Sequence, residues 1–133
     1  MPVPRNPRRA EFYVYRLCVE SVPFYVGIGR DRRASDRVRY VKYLMARNAD
    51  GKPVKWHFSA SVIAALLTRG HKVVVRYAVK NLTRVEALRR ESVQIHNLRR
   101  RGLVLANSQQ NPDRPKHVRT LVRLIEKRLA CAA

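Results

Sequence analysis

Acidic residues are scarce in this chain. Nine Asp and Glu stand against 29 Lys and Arg in 133 residues, a formal net charge of +20. That imbalance costs self-repulsion, and a polyanionic partner is the natural reason to carry it. Nucleic acid fits best, because each neutralised phosphate releases counterions. A basic ribonucleoprotein component and a peripheral membrane binder are the other classes that charge leaves open, and charge does not separate cutting from binding. Cysteine is nearly missing too. Cys18 and Cys131 are too few for a disulfide framework, or for a zinc site, which asks for about four Cys and His ligands. No apolar run approaches the roughly 20 residues that span a bilayer, and no apolar core follows the opening 1–9 to make a signal peptide. The expectation is a soluble protein with reduced chemistry, cytoplasmic and nucleoid-associated, or nuclear in a eukaryote. Internal repeats and interior linkers are also lacking, which leaves one domain.

What is present is a clear alternation of patterns. Residues 1–10 hold three prolines and three arginines without periodicity and read as a flexible basic arm. Residues 12–19 are aromatic and β-branched, a strand. A turn over 20–23 and a second strand over 24–29 complete an antiparallel hairpin. Gly27 and Gly29 inside that strand point to a kink or a close backbone approach. A helix is predicted from Ser35 to about Asn48, with Val38, Val41, Leu44 and Met45 on one face, and a second over 59–68, stopped by Gly70. Residues 73–79 read as the third strand. Thr83-Arg-Val-Glu86 is a capping box, opening a helix that runs to about Arg100 and stops at Gly102. A short apolar strand over 103–106, a polar loop and an amphipathic helix from about Pro115 follow. The order is β-β-α-α-β-α with a further strand and helix: an arm over 1–10, a domain over 11–110, and a terminal helix over 111–133 that packs on the domain or builds a dimer.

Glu91 is the most informative residue. Ala87, Leu88, Ile95 and Leu98 lie three, four or seven residues from it, so its carboxylate belongs to the apolar side of its helix. A charge there needs a compensating metal or ion pair. Mg²⁺ is commonly held by one or two carboxylates and water, so one Glu suffices, whereas the structural alternative is a salt bridge to Arg84 or another arginine. Tyr13 and Tyr15 share a strand face and, with Tyr25, serve packing as readily as chemistry. Arg33 alone reads as a solvated phosphate contact, and Asn107 alone as a turn residue. Phosphate affinity is expected from Arg30, Arg32, Arg33 and Arg37, from Arg99, Arg100 and Arg101, and from Arg5, Arg8 and Arg9 in the arm. The helix-end position of Arg99–Arg101 also suits cations on purely structural grounds.

Taken together, Tyr13-Val14-Tyr15, then Tyr25-Val26-Gly27, then Arg33, Glu91 and Leu105-Ala106-Asn107 resemble the GIY-YIG nuclease family over about residues 12–110. The stretch from Tyr25 to Arg33 (YVGIGRDRR) is similar to the branch in which a second glycine follows the YIG motif, and residues 83–95 (TRVEALRRESVQI) are similar to that family's glutamate helix. The resemblance implies an α+β fold with a three-stranded antiparallel sheet flanked by helices. It also implies a Mg²⁺- or Mn²⁺-dependent DNA endonuclease that leaves a 5′ phosphate and a 3′ hydroxyl. In that reading Glu91 anchors the metal, Tyr15 or Tyr25 orients or deprotonates water, Arg33 binds the non-bridging oxygens, and Asn107 holds the site in place. Two departures stand out. Tyr13 replaces the family's first Gly, and Ile28 replaces a Lys that follows the YIG motif in many members. His57, with Lys55 and Lys42 behind it, is the candidate to supply the missing charge near a phenol. Duplex or branched DNA is the expected partner ahead of RNA, bound by a monomer or homodimer. The alternatives are a non-catalytic nucleic-acid-binding protein on the same scaffold and a basic ribonucleoprotein component.

Overall fold

β-Branched and aromatic residues crowd three stretches of the chain, because such side chains fit a pleated, half-buried surface. In the computed structural model, which describes residues 9–49 and 57–132, each stretch is a strand: β1 (Phe12–Val19), β2 (Val22–Arg30) and β3 (Val73–Leu82). They form one antiparallel sheet in the order β2-β1-β3. Four helices accompany it, α1 (Arg33–Ala49), α2 (Phe58–Thr68), α3 (Arg84–Arg100) and α4 (Val118–Ala132). The architecture is the expected α+β one, a three-stranded antiparallel sheet flanked by helices plus a C-terminal helix. No helix among the described residues is long and apolar enough to cross a membrane.

β1 has helices on both faces. Tyr13, Tyr15, Leu17 and Val19 pack with Val38 and Val41 of α1, Ile63 and Leu66 of α2, and Leu121 and Ile125 of α4. Val14 and, from β2, Val26 instead meet Ala87, Ile95 and Leu98 of α3. Fully burying each aliphatic side chain stabilises the fold by about 1.5–3 kcal/mol relative to exposure. This two-sided burial of one central strand is therefore the main hold on the helices. α3 starts on its capping box, with Thr83 Oγ1 accepting from Glu86 N at 3.2 Å and Thr83 N donating to Glu86 Oε1 at 3.1 Å. α2 and α3 give way to Gly70 and Gly102, both at positive φ, as their glycines indicate.

Five local expectations need correction. The hairpin turn is only Glu20-Ser21, so Val22 and Pro23 belong to β2; Glu20 takes φ 54°, which suits a tight two-residue turn. α1 starts at Arg33 rather than Ser35, and α4 at Val118 rather than near Pro115. β3 continues past Val79 to Leu82. Residues 103–106 are not a strand. They reach the outer edge of β2 through a backbone bond from Ala106 N to Phe24 O (2.7 Å), but the next edge position goes to a side chain, described below.

The two strand glycines have a close-approach explanation. Tyr15 is paired across the hairpin with Gly27, and Tyr13 with Gly29. A Cβ at Gly27 would sit 2.6 Å from the Tyr15 ring, and one at Gly29 would sit 3.0 Å from that of Tyr13. Each ring thus lies over a glycine on the neighbouring strand, where any larger residue would displace it. Tyr13 goes further. Its hydroxyl donates to Asp31 O at 3.0 Å and accepts from Ala34 N at 3.1 Å, satisfying a first-turn amide of α1. Tyr13 thereby fastens β1 to the start of α1.

Candidate functional site

The main concavity is an open cleft of about 700 Å³ with walls from five segments. β2 contributes Tyr25, α1 contributes Arg37 and Tyr40, the start of α2 contributes His57 and Ser59, α3 contributes Glu91, and the loop after α3 contributes Asn107 and Arg114. Five of the residues singled out in the sequence, Tyr25, Arg37, His57, Glu91 and Asn107, are therefore brought together from positions up to 82 residues apart.

Glu91 is partly buried, and burial pushes its carboxyl above the usual carboxylate range. Among the described residues no hydrogen bond or ion pair engages it. Arg84, the structural partner envisaged for it, is exposed. An acid group in a cleft of a strongly basic protein, raised by desolvation and left without a cation, is an unusual arrangement. Among the described residues there is no group of three or more His, Cys, Asp or Glu placed to hold a metal. A metal at Glu91 would thus rely on that carboxylate, water and substrate oxygens.

The two motif tyrosines have different fates. Tyr25 is half-buried and faces the cleft, whereas Tyr15 is only 4% exposed and does not line it. Their ring centroids are 6.3 Å apart. Burial, with the neighbouring Tyr25 adding to it, pushes the Tyr15 phenol up to about 12, against an opposing pull from Arg37. Tyr15 is therefore protonated at neutral pH, its ring tilted beside that of Tyr25.

Arg37, one helical turn beyond Arg33, is the α1 arginine of the cleft. Its guanidinium lies 4.4 Å from the Tyr25 ring centroid and donates to Ser59 Oγ, and its Nε is buried with no hydrogen-bond partner among the described residues. Arg33, the first residue of α1, is exposed and does not line the cleft. The sequence signal that separates the two was available in part. Arg37 precedes Val38 and sits beside the apolar stripe, while Arg33 begins the helix.

Asn107 has the best-defined role. Its Nδ2 donates to Val26 O at 2.7 Å and its Oδ1 accepts from Val26 N at 3.0 Å. β2 is an edge strand, and this side-chain amide completes its outward backbone pair in place of a further strand. Asn111, buried, anchors the same turn through Leu105 O and Asn107 O at 2.7 and 2.8 Å. Asn107 thus holds the strand that carries Tyr25. Asn111 was not singled out in the sequence, since nothing local distinguishes it from the polar residues around it.

His57 is exposed at the N-cap position of α2, and its side chain makes no capping bond, so the ring is available to the cleft. The cations divide into three groups. Lys42, Arg9, Arg32, Arg100 and Arg101 are exposed, the last two beside a separate depression with Arg16 and Gln94. Arg30 and Arg99 are half-buried and already engaged. Arg30 lies 3.5 Å from Glu11 and 5.7 Å from the Phe12 ring, and Arg99 donates to Gln110 O at 2.8 Å and Asp113 at 3.2 Å. Lys55, Arg5 and Arg8 lie outside the described residues. Compared with protein-family models, with curated proteins and with solved structures, the chain matches none of them.

Proposed function

We propose that this protein is a divalent-metal-dependent DNA endonuclease that hydrolyses a phosphodiester bond in the Glu91 cleft by in-line attack of water. The observation that carries the reading is the carboxylate of Glu91, without an ion-pair partner among the described residues, lining one cleft with a phenol, a guanidinium and an imidazole in a protein of net charge +20. The donor set suits Mg²⁺ or Mn²⁺, hard cations often held by one carboxylate with water and phosphate oxygens for the rest. When bound, such an ion supplies Lewis-acid polarisation of the phosphate and charge for the leaving oxygen.

The chain's own residues do the remainder. Arg37 donates to the non-bridging oxygens, where negative charge grows in the transition state. Tyr25 orients the attacking water through its hydroxyl, with Tyr15 fixing the ring from behind. The water oxygen bonds to phosphorus as the bond to the 3′ oxygen breaks, giving a 5′ phosphate and a 3′ hydroxyl. His57, an imidazole lining the same cleft, accepts the water's proton. Arg33 serves as a contact to a neighbouring backbone phosphate rather than to the scissile one.

Plasmid nicking in Mg²⁺, with EDTA as control, tests this. Glu91→Ala and Arg37→Ala are each expected to lose about 10²-fold or more in rate, the size of one lost electrostatic stabiliser. DNA affinity should largely survive, because the exposed cations remain. Wild-type cutting by Glu91→Ala would remove Glu91 as the metal anchor. A second reading, a non-catalytic DNA binder on the same scaffold, draws support from the buried Tyr15 and from Arg33 standing outside the cleft. Tight binding with no metal-dependent nicking is its signature.

A further inference from the structure

The two most exposed aromatic rings among the described residues are on α1, Tyr40 at 59% and Tyr43 at 53%. They are one helical turn apart, with ring centroids 6.2 Å from each other and planes only 28° from parallel. Neither belongs to an apolar cluster of the core. Tyr77, the next most exposed, is by contrast held by the Tyr13 ring at 4.9 Å and sits under Lys80. Leaving two large rings in water is unfavourable for folding, so their use lies in what they meet there.

Their surroundings identify that partner. Tyr40 lines the Glu91 cleft, so the pair leads from the cleft mouth outward along α1. Cations interleave with it. Arg39 and Lys42 are exposed beside the rings, and Arg47 lies 5.7 Å from the Tyr43 ring centroid while donating to its hydroxyl at 2.9 Å. Arg39 also lies 3.8 Å from Asp36, an exposed pair that a phosphate can displace. Aromatic faces set among exposed positive charges are the arrangement that binds single-stranded nucleic acid, with bases stacking on the rings and phosphates meeting the cations. A fully paired duplex cannot use the rings, because its bases are already stacked on each other.

We infer that Tyr40 and Tyr43 form a stacking platform for unpaired nucleobases of a DNA strand entering the cleft. The substrate is therefore DNA with a single-stranded stretch beside the cut, such as a flap, fork or gap. The inference rests on the endonuclease reading for the cut itself, but its test needs no cutting.

Binding is measured in EDTA by fluorescence anisotropy, on a labelled single-stranded oligonucleotide and on its fully paired duplex at the same salt concentration. Tyr40→Ala/Tyr43→Ala is expected to weaken single-strand binding by about tenfold or more, and duplex binding by less than about threefold. The Phe double variant should keep wild-type affinity for both. Abasic sites in the single strand should weaken wild-type binding and leave the Ala variant unmoved. Equal losses on single strand and duplex, or no loss on either, would overturn the platform. Circular dichroism melting guards against a folding artefact, and because both rings are more than half exposed the variants should melt with the wild type. If the wild-type protein binds neither oligonucleotide, the nucleic-acid reading itself fails, an outcome distinct from loss of strand preference.

Discussion

Glu91 and Glu126 are both partly withdrawn from water, yet their surroundings are opposite. On α4, Glu126 accepts from Arg69 at 3.0 Å and lies 2.8 Å from His71 Nε2, and the Arg69 bond holds its carboxyl below the usual range. On α3, Glu91 has no such partner among the described residues and its carboxyl is raised by burial. The protein holds about three cations for each acid, so a missing counter-charge is not a matter of supply. Glu126 ties α4 to the end of α2, whereas Glu91 is kept clear of the surrounding arginines. The difference marks one acid as part of the framework, while the other is the one that the proposed metal would use.

The contrast can be broken in several ways. The largest effect on stability is expected from removing what keeps the cleft in shape. Asn107→Ala leaves Val26 N and O without their partner at a buried edge, for a loss of about 2–3 kcal/mol in denaturant unfolding. A loss under about 0.5 kcal/mol would mean that water replaces the amide and that β2 does not depend on it.

A smaller and opposite effect is expected at Glu91. Its carboxyl is raised in the folded state, so the stability linked to that group is full below the ordinary carboxyl pKa, near 4.3, and is lost as pH rises through the raised value. Glu91→Gln should therefore stabilise the metal-free protein at pH 7, by about 1 kcal/mol or a few degrees in Tm, with the gain fading as pH falls towards 4. Adding Mn²⁺ should raise the Tm of the wild type and not that of the variant, since only the folded wild type offers the site. A variant that melts below wild type in EDTA at pH 7 would show that Glu91 has a stabilising partner after all.

Glu126→Gln should give the mirror image with the smallest amplitude, because Arg69 is well exposed and such pairs are screened. Its carboxyl is lowered in the fold, so its contribution is present above the ordinary carboxyl pKa and is lost as pH falls through the lowered one. The variant should melt slightly below wild type at pH 7 and together with it at about pH 3, with nicking unchanged. A rise in Tm at pH 7 would erase the distinction between the two acids.

Much of the framework was legible residue by residue. The aromatic and β-branched run of Phe12–Val19, the capping box at Thr83 and Glu86, and the glycines after α2 and α3 are local devices, each acting within a turn or strand of itself. The site was legible only in part. Tyr25, Glu91 and Asn107 were identified as a set, but the sequence did not distinguish the cleft phenol from the buried one, or Arg37 from Arg33. The expected strand over 103–106 failed for the same kind of reason. Its residues are apolar and mostly buried, but a side chain from Asn107 takes the edge position that a further strand residue would have used.

The chain's charge, its strand and helix periods and its caps were set by the sequence alone, since those properties depend on neighbours a few residues away. The tertiary structure decided which arginine meets Tyr25, which tyrosine reaches solvent, what completes the outer edge of β2, and that Glu91 lines a cleft without an ion-pair partner among the described residues. Each of these is a meeting between segments 12 to 82 residues apart. Packing of helices on both faces of β1 brings those segments together, and no local pattern encodes that distance.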